Sequence, residues 1–409
     1  MRFNTSLLHG NFSPDSKTGA TTTPIYQSSS FNHGTAEELE NIFYGREPGF
    51  VYTRINNPTI DVFEKRITYL EGGIGAVACA SGMAAVTLAL LNVLKSGEEI
   101  LSGSGIFGGT HSLFKCLEEF GITARYAKDN SVESFEECIN EKTKVVYVET
   151  IGNPKLDVYD IKALSDMAHR YGIPLVVDNT VTTPYLVKPL SLGADIVIHS
   201  TSKYINGSGN SIGGIIIDSG NFKWDFDKYL ALKPYKQFGP FVYLAKLRKS
   251  LFKDFGACMS PFNAYLSSIG LETLGLRMER LCDNTFKLVK TLKSNPKVVS
   301  VNYPGLIESE YYALSDKQFD GKFGAILTIR VGSKEKAFKV INSLKYASNL
   351  ANIGDVRTLV IHPASTIYAT NSIEEKERMG AYEDLIRISV GIEDIEDLEE
   401  DFTQALNKI

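Results

Sequence analysis

From about residue 61 onward, apolar and polar positions alternate in short blocks of changing period. Residues 61–70 space their apolar positions as a helix does, and 75–80 form an apolar run of strand length. Ser81 stands where an N-cap belongs, and 83–94 are apolar almost all round, which predicts a buried helix. Lys95-Ser96-Gly97 ends it, with a cation in the last turn and a glycine just beyond. Strands are expected at 144–150, 174–179, 195–199 and 211–218, with a helix over 160–171. Apolar runs alternating with helical patterns predict an α/β fold, a mostly parallel sheet covered by helices on both faces.

The flanking regions differ. Residues 1–60 are rich in Thr, Ser, Asn, Gly and Pro, with little periodicity and too much length for an ordinary loop. Their apolar and aromatic residues (Ile25, Tyr26, Phe31, Phe43, Tyr44, Phe50, Tyr52) argue against disorder, so this arm is expected to pack on a neighbouring subunit. Near 255–261 the character changes again. One long helix is expected over 262–292, then strands at 298–303 and 324–331, a helix over 334–345, a strand at 385–390 and an acidic helix from 395. The expected organisation is an arm (1–60), a large α/β domain (61–255) and a smaller C-terminal α/β domain (256–409).

Composition excludes several classes. The chain has 409 residues, 43% hydrophobic, enough for two domains with a large core. Its net charge of −5 comes from 43 basic and 48 acidic residues without long runs of one sign, so neither nucleic acid nor a membrane surface is an expected partner. The five cysteines contain no CxxC pair and suit a reducing cytosol, and the six histidines have no ligand spacing, so no metal is expected. No stretch is long and apolar enough to span a bilayer. A cytoplasmic protein is the expectation.

Candidate chemistry centres on 195–214, DIVIHSTSKYINGSGNSIGG. Lys203 follows a buried strand and the hydroxyls of Ser200, Thr201 and Ser202. Burial and cationic neighbours lower a lysine pKa, and a neutral amine attacks carbonyls to form a Schiff base. For an arbitrary lysine a surface position is commoner; four further features change the balance. Ser81-Gly82-Met83 at a strand-to-helix turn offers free N–H groups to an anion, although an ordinary capped helix reads the same way. Asp178 ends the strand LVVD, over the crevice where open α/β sheets bind ligands, where it could hold a ring nitrogen protonated or cap a turn. Arg54, beside Tyr52, offers a fork suited to phosphate or a surface ion pair. Arg387 interrupts an apolar strand and needs an anionic partner, either a substrate carboxylate or a structural acid.

Together these describe a phosphate-bearing aldehyde held by Lys203, and the motifs name a family. YTRINNPT (52–59), ASGMAA (80–85), FGGT (107–110), ETIGNP (149–154), VVDNT (176–180), HSTSKY (199–204), IHPAST (361–366) and IRISVGIED (386–394) span nearly the whole chain. It resembles the Cys/Met-metabolism family of pyridoxal-phosphate enzymes. The resemblance implies the type I aminotransferase-like fold and pyridoxal 5'-phosphate as cofactor. It also implies a homotetramer of dimers with shared active sites. Lys203 would bear the Schiff base and shuttle protons, and Asp178 would face the pyridine nitrogen. Gly82, Met83, Ser200 and Ser202 would bind the phosphate, with Tyr52 and Arg54 reaching it from the neighbouring subunit. Arg387 would clamp the substrate carboxylate beside Asn352 and Asn153. Phe107 would stack on the ring, where many relatives carry a tyrosine.

Within the family, 206–222, 255–280 and 351–366 look most like O-acetylhomoserine sulfhydrylases. The implied reaction replaces acetate on an amino-acid substrate with sulfide or methanethiol. Methionine γ-lyase and cystathionine γ-synthase remain alternatives, because IYATNS follows HPAST where relatives commonly have a histidine. A nucleotide-binding protein using Gly207 and Gly209 is a distant rival, since no GxGxxG opens a helix and no GxxxxGK[ST] occurs.

Overall fold

The computed structural model describes residues 1–409. Seven strands form the first sheet: β1 (Gly75–Cys79), β2 (Glu99–Ser102), β3 (Thr123–Tyr126), β4 (Thr143–Glu149), β5 (Leu175–Asp178), β6 (Ile196–His199) and β7 (Gly214–Asp218). Their spatial order is β1-β7-β6-β5-β4-β2-β3, and only β7 runs against its neighbours. The runs are continuously apolar because both faces are covered. Val146, Val148, Leu175, Val177 and Val197 enter one core, whereas Val145, Tyr147, Val176, Ile196 and Ile198 enter the other.

A second sheet is built from β8 (Ser300–Asn302), β9 (Ile326–Arg330), β10 (Ser348–Asn349), β11 (Leu359–Ile361) and β12 (Leu385–Ser389), in the order β10-β11-β12-β9-β8. It is antiparallel except between β10 and β11. Its core draws on Leu288, Val340, Ile388 and Phe402.

Differences from the sequence reading have local causes. The single helix expected over 262–292 is two, Pro261–Glu272 and Leu274–Ser294, broken at Thr273. At the break the guanidinium of Arg277 donates to the carbonyls of Gly270 (2.7 Å), Tyr204 (2.6 Å) and Ile205 (3.1 Å). A Cβ at Gly270 would meet the carbonyl oxygen of Asn206 at 2.2 Å, so glycine is required for this approach. The break therefore clamps the turn that carries Lys203. β2, β3, β10 and β11 lay outside the sequence reading; they are only two to four residues long, and β3 is half exposed. The arm is not wholly committed to a neighbour either. Helix α1 (Phe3–His9) buries Leu7 in the chain's own core, and α2 (Ala36–Tyr44) is capped by Thr35 but buries nothing.

Strand β1 is an edge, and an ion pair caps it. Helix α3 (Pro58–Glu71) supplies Glu64, which accepts from the Ala78 N–H (2.7 Å), while Arg248 donates to the Ala76 carbonyl (2.6 Å) and pairs with Glu64. Two of the outward-facing backbone groups of the edge are thereby occupied.

Candidate active site

Helix α4 (Gly82–Leu91) follows β1, and its N-cap Ser81 accepts from the Ala84 N–H at 3.1 Å. The N–H groups of Gly82 and Met83 precede the first helical hydrogen bond and stay available to an anion. A Cβ at Gly82 would meet that of Ser200 at 2.6 Å, so glycine lets the helix end and the turn after β6 share one wall. The Ser202 hydroxyl is engaged with Gly213, accepting from its N–H at 2.9 Å and donating to its carbonyl at 3.2 Å.

Ser81, Gly82, Met83, Ser200 and Ser202 line a cavity of about 490 Å³ at the carboxyl ends of β4, β5 and β6. The same cavity is lined by Phe107, Asn153, Asp178, Lys203, Asn352 and Arg387. Residues from both sheets thus converge, as open α/β sheets favour at their carboxyl edge. Tyr52 and Arg54 do not join them within one chain. Tyr52 is exposed, and Arg54 donates to the Lys253 carbonyl.

Lys203 donates to Oδ1 of Asn352 and forms no ion pair. Burial, with the nearby Arg387 guanidinium, pulls its amine down to about 8. Asp178 is also desolvated, which pushes its carboxyl up. Three donors oppose that: the Thr180 N–H (2.9 Å), the Thr180 hydroxyl (2.5 Å) and the Tyr147 hydroxyl (3.4 Å). The turn-capping and ligand-facing readings of Asp178 are therefore compatible. Behind it His199 lies 2.6 Å from Glu71, which also accepts from Asn179 at 2.9 Å, tying β5 and β6 to the end of α3.

Arg387 sits on β12, 3% exposed, with no acid beside it. Nη1 donates to Asn153 Oδ1 (3.1 Å), Nη2 to the Asn352 carbonyl (2.9 Å), and Nε has no partner. Desolvation pulls the guanidinium down to about 10. The structural acid that sequence reasoning kept open is absent, which leaves this cation without a counter-ion in the cavity.

Sequence reasoning passed over Glu149 as a site residue. It lines the cavity at the end of β4 and accepts from the Phe107 N–H at 2.6 Å. An acid ending a buried strand was the signal that selected Asp178, and KVVYVE carries the same one.

A parallel sheet whose strand ends open on a desolvated amine, an anion-receptive helix end and a guanidinium without a counter-ion is the framework of an α/β enzyme working through a Schiff base. The chain belongs to the Cys/Met metabolism PLP-dependent enzyme family, whose model matches residues 4–407. It is 42% identical to the O-acetyl-L-homoserine sulfhydrylase of Leptospira meyeri, over 99% of this chain and 96% of that one. It is also 42% identical to the homocysteine synthase of Schizosaccharomyces pombe, over 99% and 98%. Among solved structures, a Campylobacter jejuni protein described as an O-acetylhomoserine (thiol)-lyase, containing pyridoxyl-lysine monophosphate, superposes with TM-score 0.95 at 33% identity, covering 100% of both chains.

Proposed function

We propose that this enzyme converts O-acetyl-L-homoserine and sulfide to L-homocysteine and acetate, with methanethiol giving methionine in place of homocysteine. The observation that carries the reading is the cavity itself. It holds one desolvated amine and one desolvated guanidinium without a counter-ion, framed by Asn153 and Asn352. The names of the relatives supply the substrate class.

The cavity residues fit pyridoxal 5'-phosphate. The N–H groups of Gly82 and Met83 and the Ser200 hydroxyl would hold the phosphate. Ser202 would join once its proton leaves the Gly213 carbonyl, the longer of its two bonds. Phe107 would stack on the ring. When bound, the cofactor supplies an electron-withdrawing ring that accepts charge from the substrate α-carbon. Asp178 keeps a proton on the ring nitrogen. Arg387, with Asn352 and Asn153, fixes the substrate carboxylate and so aims the α-hydrogen at Lys203. The amine of Lys203, neutral in a substantial fraction near pH 8, takes that proton and carries protons between the α- and γ-ends of the substrate.

Phe107 has no hydroxyl with which to protonate a leaving group. Acetate departs as a stable anion and needs no such acid, so Phe107 favours this substrate over thiolate-expelling ones. Tyr52 and Arg54 are read as belonging to the neighbouring subunit's cavity, in a cytoplasmic homotetramer of paired dimers. The arm is taken as 1–60, the large domain as 61–255 and the C-terminal domain as 256–409. No helix is long and apolar enough to cross a membrane.

Steady-state turnover of O-acetyl-L-homoserine with sulfide tests the reading, with methionine alone as the parallel sample. Homocysteine with little 2-oxobutanoate from methionine is expected. Rapid methionine breakdown with poor replacement would make the enzyme a γ-lyase.

A further inference from the structure

Glu149 is the one acidic group lining the cavity for which the proposed reaction has no use. It ends β4 directly across the ladder from Asp178, which ends β5. Two carboxyls side by side in a desolvated pocket cannot both ionise cheaply, and the proton settles on the one with fewer donors. Asp178 has three, whereas Glu149 has only the Phe107 N–H. No cation is among its charged neighbours; burial, Asp178 and Asp157 all push its carboxyl well above the usual range. Glu149 is therefore a neutral acid, and its carbonyl-type oxygen accepts from Phe107.

That bond has a geometric purpose. Phe107 is the N-cap residue of helix α5 (Gly108–Glu118) and has no side-chain cap of its own. Its backbone is fixed to β4 by Glu149, and its ring lies against the next turn: a Cβ at Gly109 would meet ring atom Cε1 at 2.5 Å. Gly108 is pressed in turn against Ile367 and Tyr368, where a Cβ would sit 3.0 Å from each. The start of α5 is thus pinned on three sides, with Glu149 the acceptor that holds the Phe107 N–H.

We propose that Glu149 is the positioning residue for Phe107, holding the α5 N-terminus against β4 as a neutral hydrogen-bond acceptor so that the Phe107 ring faces the bound cofactor. The inference rests on the reading of this cavity as the cofactor site. It makes an unusual prediction about substitution, because the amide of glutamine reproduces a neutral acid better than a shorter carboxylate does.

The test compares Glu149→Gln, Glu149→Asp and Glu149→Leu as purified holoenzymes. The readouts are pyridoxal phosphate retained after dialysis, the visible absorption band of the bound cofactor, and kcat and KM taken separately. Far-UV circular dichroism verifies that each variant is folded. Glu149→Leu and Glu149→Asp are expected to lose at least half of the cofactor that wild type keeps and to shift its band, with kcat falling about tenfold or more for loss of one anchoring bond. Glu149→Gln is expected to restore retention, band and kcat toward wild type. The opposite order, with Asp retained and Gln impaired, would mean that Glu149 acts by its charge and would overturn the proposal. So would three variants that all keep the wild-type band and retention. A wild-type protein that binds no pyridoxal phosphate would instead overturn the cofactor-site reading.

Discussion

Arg387 and Asn153 stand far apart in the chain yet meet at 3.1 Å, guanidinium to side-chain amide oxygen, in the wall between the two sheets. Tyr368 donates to the backbone carbonyl of the same Asn153 at 3.0 Å, so the main chain that carries the orienting amide is itself held. A buried cation offered only neutral acceptors is a standing cost to the fold. The arrangement makes physical sense as a receptor whose anion arrives with the substrate.

Arg387→Met should therefore separate function from stability. Charge-assisted hydrogen bonds are worth about 1.5–3 kcal/mol, so kcat/KM for the amino-acid substrate should fall about ten- to a hundredfold, chiefly through KM. The melting temperature of the cofactor-free protein should hold or rise, because a desolvated charge has gone. Steady-state kinetics beside a thermal melt check both halves. A variant that melts well below wild type would point to a structural role for the guanidinium.

Lys203 predicts a pH signature. Its amine sits near 8, below the ordinary 10.5, through burial and the neighbouring Arg387. Only the neutral amine attacks a carbonyl, and its fraction grows as pH rises through that value. Capture of pyridoxal phosphate by cofactor-free enzyme, trapped with borohydride at intervals, should accelerate with pH and level off above about 9. Lys203→Met should trap nothing. A midpoint near 10 would show that the cavity does not desolvate the amine.

How far these features were legible in the sequence depended on where each residue sits along its element. Lys203 and Asp178 follow strong apolar strands, and a strand that ends in a polar residue gives away the edge of the sheet. Glu149 carried the same signal and was passed over. Asn153 and Asn352 owe their place to long-range packing, and no local pattern marks them; only the family motifs did. The helix break at Thr273 was hidden because both halves keep helical periodicity, and what divides them is the Arg277 clamp on carbonyls from residues 204–205. Leu7 belongs to an arm with too few apolar positions to set a period, and nothing local marks that it reaches the main core.

Asp218 supplies a stability test away from the cavity. Its carboxyl is buried, with Oδ1 accepting from the Gly220 N–H (2.9 Å) and Oδ2 unpartnered; burial, with Asp195 nearby, pushes it up to about 7. The folded state therefore holds this proton more tightly than the unfolded chain, whose ordinary value is 3.8. Below 3.8 both states are protonated and the site costs nothing. As pH rises from there to 7 the unfolded state gains by ionising, so stability falls, and above 7 the loss is complete. Asp218→Asn keeps an acceptor for Gly220 and removes the titration. It should stabilise the protein by on the order of a few kcal/mol at pH 8 and hardly at all at pH 4, read as urea midpoints at the two values. Equal effects at both would assign the gain to packing.

The arm offers a test of whether sites are shared between subunits. Within one chain Arg54 is spent on the Lys253 carbonyl, and Tyr52 lies exposed, outside the cavity that holds Lys203. If Tyr52 and Arg54 complete a neighbour's cavity, Arg54→Ala and Lys203→Ala should each lose nearly all activity alone. When the two are unfolded together and refolded, mixed dimers should regain a measurable fraction. In such a dimer one cavity combines Lys203 from the first chain with Arg54 from the second, and that cavity is wild type. The other carries both lesions and stays silent. Recovery should require subunit exchange, so mixing the folded proteins without unfolding should restore activity slowly or not at all. If co-refolding restores nothing while each variant alone remains folded and assembled, Arg54 acts within its own chain, and the arm is a structural strap rather than part of a shared site.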